Sequence, residues 1–208
     1  MSAVLESPEI ENSPAIYEDA RRVRAELYRW TIEQYQCMVE QGILTSEDRV
    51  ELLEGLVVCK MTNNPRHSEV IEQLTDRLGQ VVPTGWRVRV QLPIQSGRSQ
   101  PEPDFSIVKI NRVRGRHPSG ADVLLVIEVA DSSIAIDREK AAIYARAGIP
   151  AYWIINLPEM RVEAYDRVNP LAGEYESIQI QHEGELMSLR STTGMHFELT
   201  VQDMLSTE

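Results

Sequence analysis

Residues 122–157, DVLLVIEVADSSIAIDREKAAIYARAGIPAYWIINL, decide the fold. Val123–Ala130 is a near-continuous apolar run, the kind that a strand carries when both faces of its sheet are covered. Asp131-Ser132-Ser133 closes it. Residues 136–147 have helical character, and Gly148 and Pro150 are stop signals. AYWIINL, residues 151–157, reads as a second buried strand. Strand, helix and strand in that order make a right-handed parallel crossover, so the reading is an α/β fold.

Outward from this unit, Phe105–Ile110 and residues 86–94, WRVRVQLPI, are further strand candidates. Upstream, residues 67–82 place Val70, Ile71, Leu74, Leu78 and Val81 at amphipathic helical spacing. Residues 50–61, VELLEGLVVCKM, read as two short strands turning at Glu54-Gly55. Thr31 is a good N-cap for a helix ending near Gln41-Gly42, and a helix is also expected over Tyr17–Tyr28. From Arg161 to Leu199 the chain alternates and turns often, as an antiparallel meander does. The whole predicts a mixed central sheet flanked by helices. Residues 1–28 form an N-terminal extension, helical toward its end, and 29–205 a single domain.

The chain has 208 residues, 42% hydrophobic and 25% charged. These proportions exclude a disordered chain or a fibre. No stretch reaches the roughly 18 apolar residues that span a bilayer, and the acidic start lacks the layout of a secretory signal. Cys37 and Cys59 show no zinc spacing, and two lone thiols suit a cytoplasmic protein. The net charge of −11 argues against avid, nonspecific nucleic-acid binding. The balance is uneven, however. Residues 77–117 hold eight bases and two acids, a net +6, which leaves −17 for the rest. An acidic body with one basic segment can focus a polyanion onto one face.

The chemistry turns on Glu128, a carboxylate in an otherwise apolar strand. Buried alone it is expensive, so it must reach solvent, pair with a base or hold a metal. Asp104 opens a second strand. Two such acids on neighbouring strands repel unless a cation lies between them, and oxygen-only ligands favour Mg²⁺ or Mn²⁺. Lys140 follows Glu128 by twelve residues, on the next helix. It either joins a salt bridge or helps to position a nucleophilic water. Asp137 suits the N-cap of that helix, Tyr144 packs against or orients Lys140, and Tyr152 and Trp153 suit the core.

PEPDFSIVK (101–109), LLVIEVADSS (124–133) and DREKAAIYARAGIPAYWIINL (137–157) resemble the Uma2 family, or domain of unknown function 820, of the PD-(D/E)XK nuclease superfamily. Residues 30–58 and 63–74 resemble the family's N-terminal half. The resemblance covers about Arg29 to Leu205. It implies a restriction-endonuclease-like core and a Mg²⁺- or Mn²⁺-dependent endonuclease acting on DNA, often as a homodimer. Asp104 and Glu128 match the metal ligands, and the Val129 backbone carbonyl is a further one. The superfamily's usual lysine lies two residues after the second acid, where this chain has Ala130, and Lys140 matches a lysine moved to the next helix. Glu51 is a candidate additional acid and His67 a candidate phosphate contact, although pairing with a nearby arginine (Glu51) or with the helix start or Glu69 (His67) fits too. Arg87, Arg89, Arg112, Arg114 and Arg116 are expected to guide nucleic acid. A second reading from another class keeps the fold but makes it a catalytically degenerate binding or assembly module, which the acidic net charge and Ala130 favour.

Overall fold

The computed structural model describes residues 27–61, 64–111, 115–190 and 196–205. The chain runs through α1 (Ile32–Glu40), β1 (Val50–Leu53), β2 (Leu56–Cys59), α2 (Pro65–Val81), β3 (Trp86–Val90), β4 (Phe105–Lys109), β5 (Val123–Ala130), α3 (Ile134–Arg146) and β6 (Ala151–Asn156). It continues through β7 (Arg161–Asn169), β8 (Glu174–His182), β9 (Leu186–Arg190), β10 (His196–Thr200) and α4 (Val201–Leu205). Strands β3 to β8 form one six-stranded sheet in chain order. Its single parallel pair is β5 with β6, from Leu125 opposite Ala151 to Ala130 opposite Asn156.

Alternation along β5 feeds two cores. Leu125, Ile127 and Val129 pack with Val70, Leu74 and Leu78 of α2. Val126 and Ala130 face the other way, toward Ala141 and Tyr144 of α3 and Tyr152 of β6. Glu128 falls on this second face, and every residue of β5 is buried. On β7, buried Glu163 is gripped by Arg138 of α3 through Nε (2.9 Å) and Nη2 (2.5 Å), by Arg161 (3.2 Å) and by Asn156 (3.2 Å), clamping helix to sheet.

The antiparallel C-terminal strands are divided. Strands β7 and β8 extend the main sheet, whereas β9 and β10 pair separately and join the α2-side core through Met187, Leu189, Phe197 and Leu199. Helix α1 starts on a capping box: the Thr31 side chain accepts the Gln34 N–H, and the Gln34 side chain accepts the Thr31 N–H. Helix α2 starts two residues earlier than its apolar period indicates, because Asn64 caps it and Pro65 is preset for the first turn. Of the helix expected over 17–28, residues 17–26 lie outside the described residues, and Leu27 and Tyr28 are not helical. Among the described residues no helix is long and apolar enough to cross a membrane.

Candidate active site

The pairing of β4 with β5 ends at Phe105 opposite Ile127. Beyond that point the edge of β5 has no neighbouring strand among the described residues, and the Asp104 side chain takes its place: Oδ2 accepts the Val129 N–H at 2.9 Å. In return the Asp104 N–H donates to Glu128 Oε2 at 3.2 Å. The two acids are therefore tied reciprocally at one strand end. The Ala130 carbonyl accepts the Leu157 N–H on the β6 side. Successive residues of a strand direct their main-chain groups to alternate edges, which turns the Val129 carbonyl toward Asp104.

Lys140 reaches this point from α3. Its Nζ lies 3.1 Å from Glu128 Oε1, 2.9 Å from Glu51 Oε1 and 3.6 Å from Asp137 Oδ1. One turn on, the Tyr144 hydroxyl donates to Glu128 Oε1 at 2.8 Å. Glu51 arrives on the β1–β2 hairpin, and its other oxygen accepts the Glu102 N–H at 3.0 Å. Glu51, Glu128, Asp137 and Lys140 are each at most 6% exposed. His67, in the first turn of α2, sets Nε2 3.2 Å from Asp104 Oδ2, and Gln91 donates to Asp104 Oδ1 at 3.2 Å. The His67 Nδ1 is buried with no hydrogen-bond partner among the described residues.

The electrostatics separate the acids. Burial works against charge on Asp104, but the His67 hydrogen bond and charge, the Val129 N–H and Gln91 outweigh it, so Asp104 is held below the ordinary carboxylate range. Burial pushes Glu128 up to about 8 despite Lys140, with Asp137, Asp104 and Glu51 adding to the rise. Burial also raises Asp137, against the pull of Lys140 and Ser133. For Lys140, burial favours the neutral amine, but Glu128, Glu51 and Asp137 prevail and keep it firmly protonated. Three buried carboxylates thus share one ammonium. Such an excess of acid in a dry site is costly unless protons or a cation balance it.

The structure brings together Asp104, Glu128, Lys140, Glu51 and His67. It corrects the reading of Asp137: Ser133 is the N-cap of α3, and Asp137 sits one turn inside, accepting a hydrogen bond from Ser133 Oγ at 2.5 Å. Its i, i+3 spacing to Lys140 on a buried helix face is the signal for its place in the cluster. Tyr144 orients Glu128 through its hydroxyl, and Gln91 is a member that no sequence motif marks. Among the described residues no three His, Cys, Asp or Glu side chains converge as a metal would require; the Lys140 ammonium lies among Glu51, Glu128 and Asp137. The arginines lie apart. Trp86, Val88 and Val90 pack against the α2-side core, which places Arg87 and Arg89 on the Glu128 face of the sheet. Arg89 donates to the Pro93 carbonyl, and Arg116 is 2.8 Å from Asp122. Arg112 and Arg114 lie outside the described residues.

A mixed six-stranded sheet with helices on both faces, holding buried acids at the ends of two adjacent strands, is a restriction-endonuclease-like core. The pattern of the Uma2 family, described as "Putative restriction endonuclease", matches residues 32–202. The chain belongs to the Uma2 family. The crystal structure of "a putative nuclease belonging to DUF820" from Anabaena variabilis shares the fold at a TM-score of 0.63, with 17% identity, over 84% of this chain and 96% of that one. No curated protein matches the sequence.

Proposed function

We propose that this Uma2 protein is an endonuclease that hydrolyses phosphodiester bonds in DNA with Mg²⁺ or Mn²⁺. The observation that carries the reading is the reciprocal tie of Asp104 and Glu128 beside Lys140, with more buried carboxylate than ammonium to balance it. Asp104, Glu128 and the Val129 carbonyl form an all-oxygen donor set, and Mg²⁺ commonly takes only one or two carboxylates and keeps several waters. When bound, the ion supplies an activated water and polarises a phosphate oxygen. Glu51 holds Lys140, and His67 steadies Asp104. Lys140 orients the attacking water and offsets the charge that builds on the phosphate. The water oxygen bonds to phosphorus, the bridging P–O bond breaks, and the departing sugar oxygen takes up a proton. Two exposed free cysteines, Cys37 and Cys59, fit a reducing cytoplasm, and a homodimer suits cleavage of two strands.

The test is cleavage of plasmid and single-stranded DNA with Mn²⁺. Activity is expected to vanish in EDTA and to fall at least about a hundredfold in Asp104→Asn and in Glu128→Gln, with melting temperatures retained. Activity that survives both substitutions would overturn the assignment. The competing reading, a degenerate nuclease-fold module, draws on Lys140 already pairing with Glu51, Glu128 and Asp137 and on Ala130. Calorimetric titration with Mn²⁺ separates the two: a wild type that binds no ion, like Asp104→Ala, would make the chain such a module.

A further inference from the structure

The acid cleft is too small to hold a nucleic acid by itself. It measures about 60 Å³, room for about two waters, and its walls are rich in carboxylates. A much larger cleft, about 750 Å³, opens between α1 and the β3–β4 edge. That volume lies within the range of ligand pockets, about 300–1,000 Å³: ample for one nucleotide unit and too small for a duplex. Arg87, Lys109 and the Asp122-paired Arg116 line it as cations, with Glu40 and three glutamines, Gln36, Gln95 and Gln100.

The glutamines are arranged for recognition. Gln36 Nε2 donates to Gln100 Oε1 at 2.8 Å. Gln100 is 6% exposed, so its amide is held in one place. The bond between the two amides leaves an acceptor on Gln36 and a donor on Gln100, and neither has another hydrogen-bond partner among the described residues. A neighbouring donor and acceptor match the edge of a nucleobase, such as adenine N6 and N7. A third cleft, about 550 Å³, shares Val39 with the large one and Lys60, Glu102 and Asp104 with the acid cleft. The three clefts are thus neighbours, linked in a row by shared wall residues.

We infer that the large cleft is a nucleotide-binding site in which Gln36 and Gln100 read the edge of one unpaired base of a DNA strand while Arg87 holds its phosphate, and that the middle cleft leads the same strand to Asp104. This rests on the nuclease reading and specifies its substrate as DNA that is unpaired where the protein grips it.

Fluorescence anisotropy in EDTA, where no cleavage occurs, tests it with a labelled single-stranded oligodeoxynucleotide and its duplex. The single strand is expected to bind at least about tenfold tighter than the duplex. Gln36→Ala and Arg87→Ala are each expected to weaken it about five- to tenfold, with melting temperature and Mn²⁺ binding unchanged. The same loss in Gln100→Leu places the buried amide in the contact. A preference for duplex, no binding of the single strand, or wild-type affinity in both Gln36→Ala and Arg87→Ala overturns the site. Cleavage that persists with unaltered affinity in those variants sinks the cleft and spares the nuclease; cleft-dependent binding without Mn²⁺-dependent cleavage does the reverse.

Discussion

Lys140 does at the residue level what a metal ion does in an all-carboxylate site: it keeps like charges from meeting. Replacing it by methionine preserves length and removes the ammonium, leaving Glu51, Glu128 and Asp137 buried around an apolar chain. Lys140→Met is expected to lose about 3–5 kcal/mol of stability, measured by urea denaturation. Mn²⁺ is expected to restore part of that loss by binding the native state; a variant as stable as wild type would show the carboxylates already neutral. Glu128 was legible in the sequence because a charge inside an apolar run has few ways to be satisfied, and Lys140 because it follows on the next helix, where the family resemblance expects a lysine. Asp137 was not, because an aspartate in the first turn of a helix also suits a cap, and only the position of Ser133 decides between the roles. Glu51 was reached only through the family resemblance and Gln91 not at all, because both depend on loops and strands distant along the chain, which periodicity does not specify.

At the level of elements, α3 is held from both sides, by Lys140 toward the acids and by Arg138 toward Glu163. Burial opposes charge on Glu163, but the hydrogen bonds from Arg138 and Asn156, with the Arg138 charge and Arg161, lower it from 4.5 to about 2. A carboxyl whose folded value is depressed contributes stability above its unfolded value and loses it as pH falls toward the folded one. The clamp therefore acts in full above about pH 4.5 and fades toward about pH 2. Glu163→Gln is expected to cost on the order of 2–3 kcal/mol at neutral pH, and chemical denaturation across that window should show wild type and variant converging as acid is added. A difference independent of pH would mean that the clamp works by packing alone. The long elements β5, α2 and α3 were readable from periodicity and stop signals. The separate β9–β10 pair was not, because its residues alternate like the preceding strands and only packing into the α2-side core assigns them to another sheet, and the five-residue α4 is too short to show a helical period.

For the whole molecule the question is how a chain of net charge −11 would attract the polyanion proposed as its substrate. The basic segment answers only locally, since Arg116 is committed to Asp122 and Arg89 to a backbone carbonyl. Among the described residues of the segment few cations remain for phosphates, so the affinity for single-stranded DNA is expected to fall with salt at a shallow log–log slope of about −2 to −3, as for three or four phosphate contacts. Anisotropy titrations over a range of NaCl check this, and a steeper slope would point to a much wider basic surface. The order of residues in the cluster has its own bearing on biosynthesis. Glu51, Asp104 and Glu128 leave the ribosome before Lys140, so until α3 is made the acids lack their counter-ion and β5, although α2 can already cover one face, lacks the cover of the other. Completion of the centre is thus a late, vectorial event: a nascent chain that ends before Ile134 holds its acids without the ammonium that balances them.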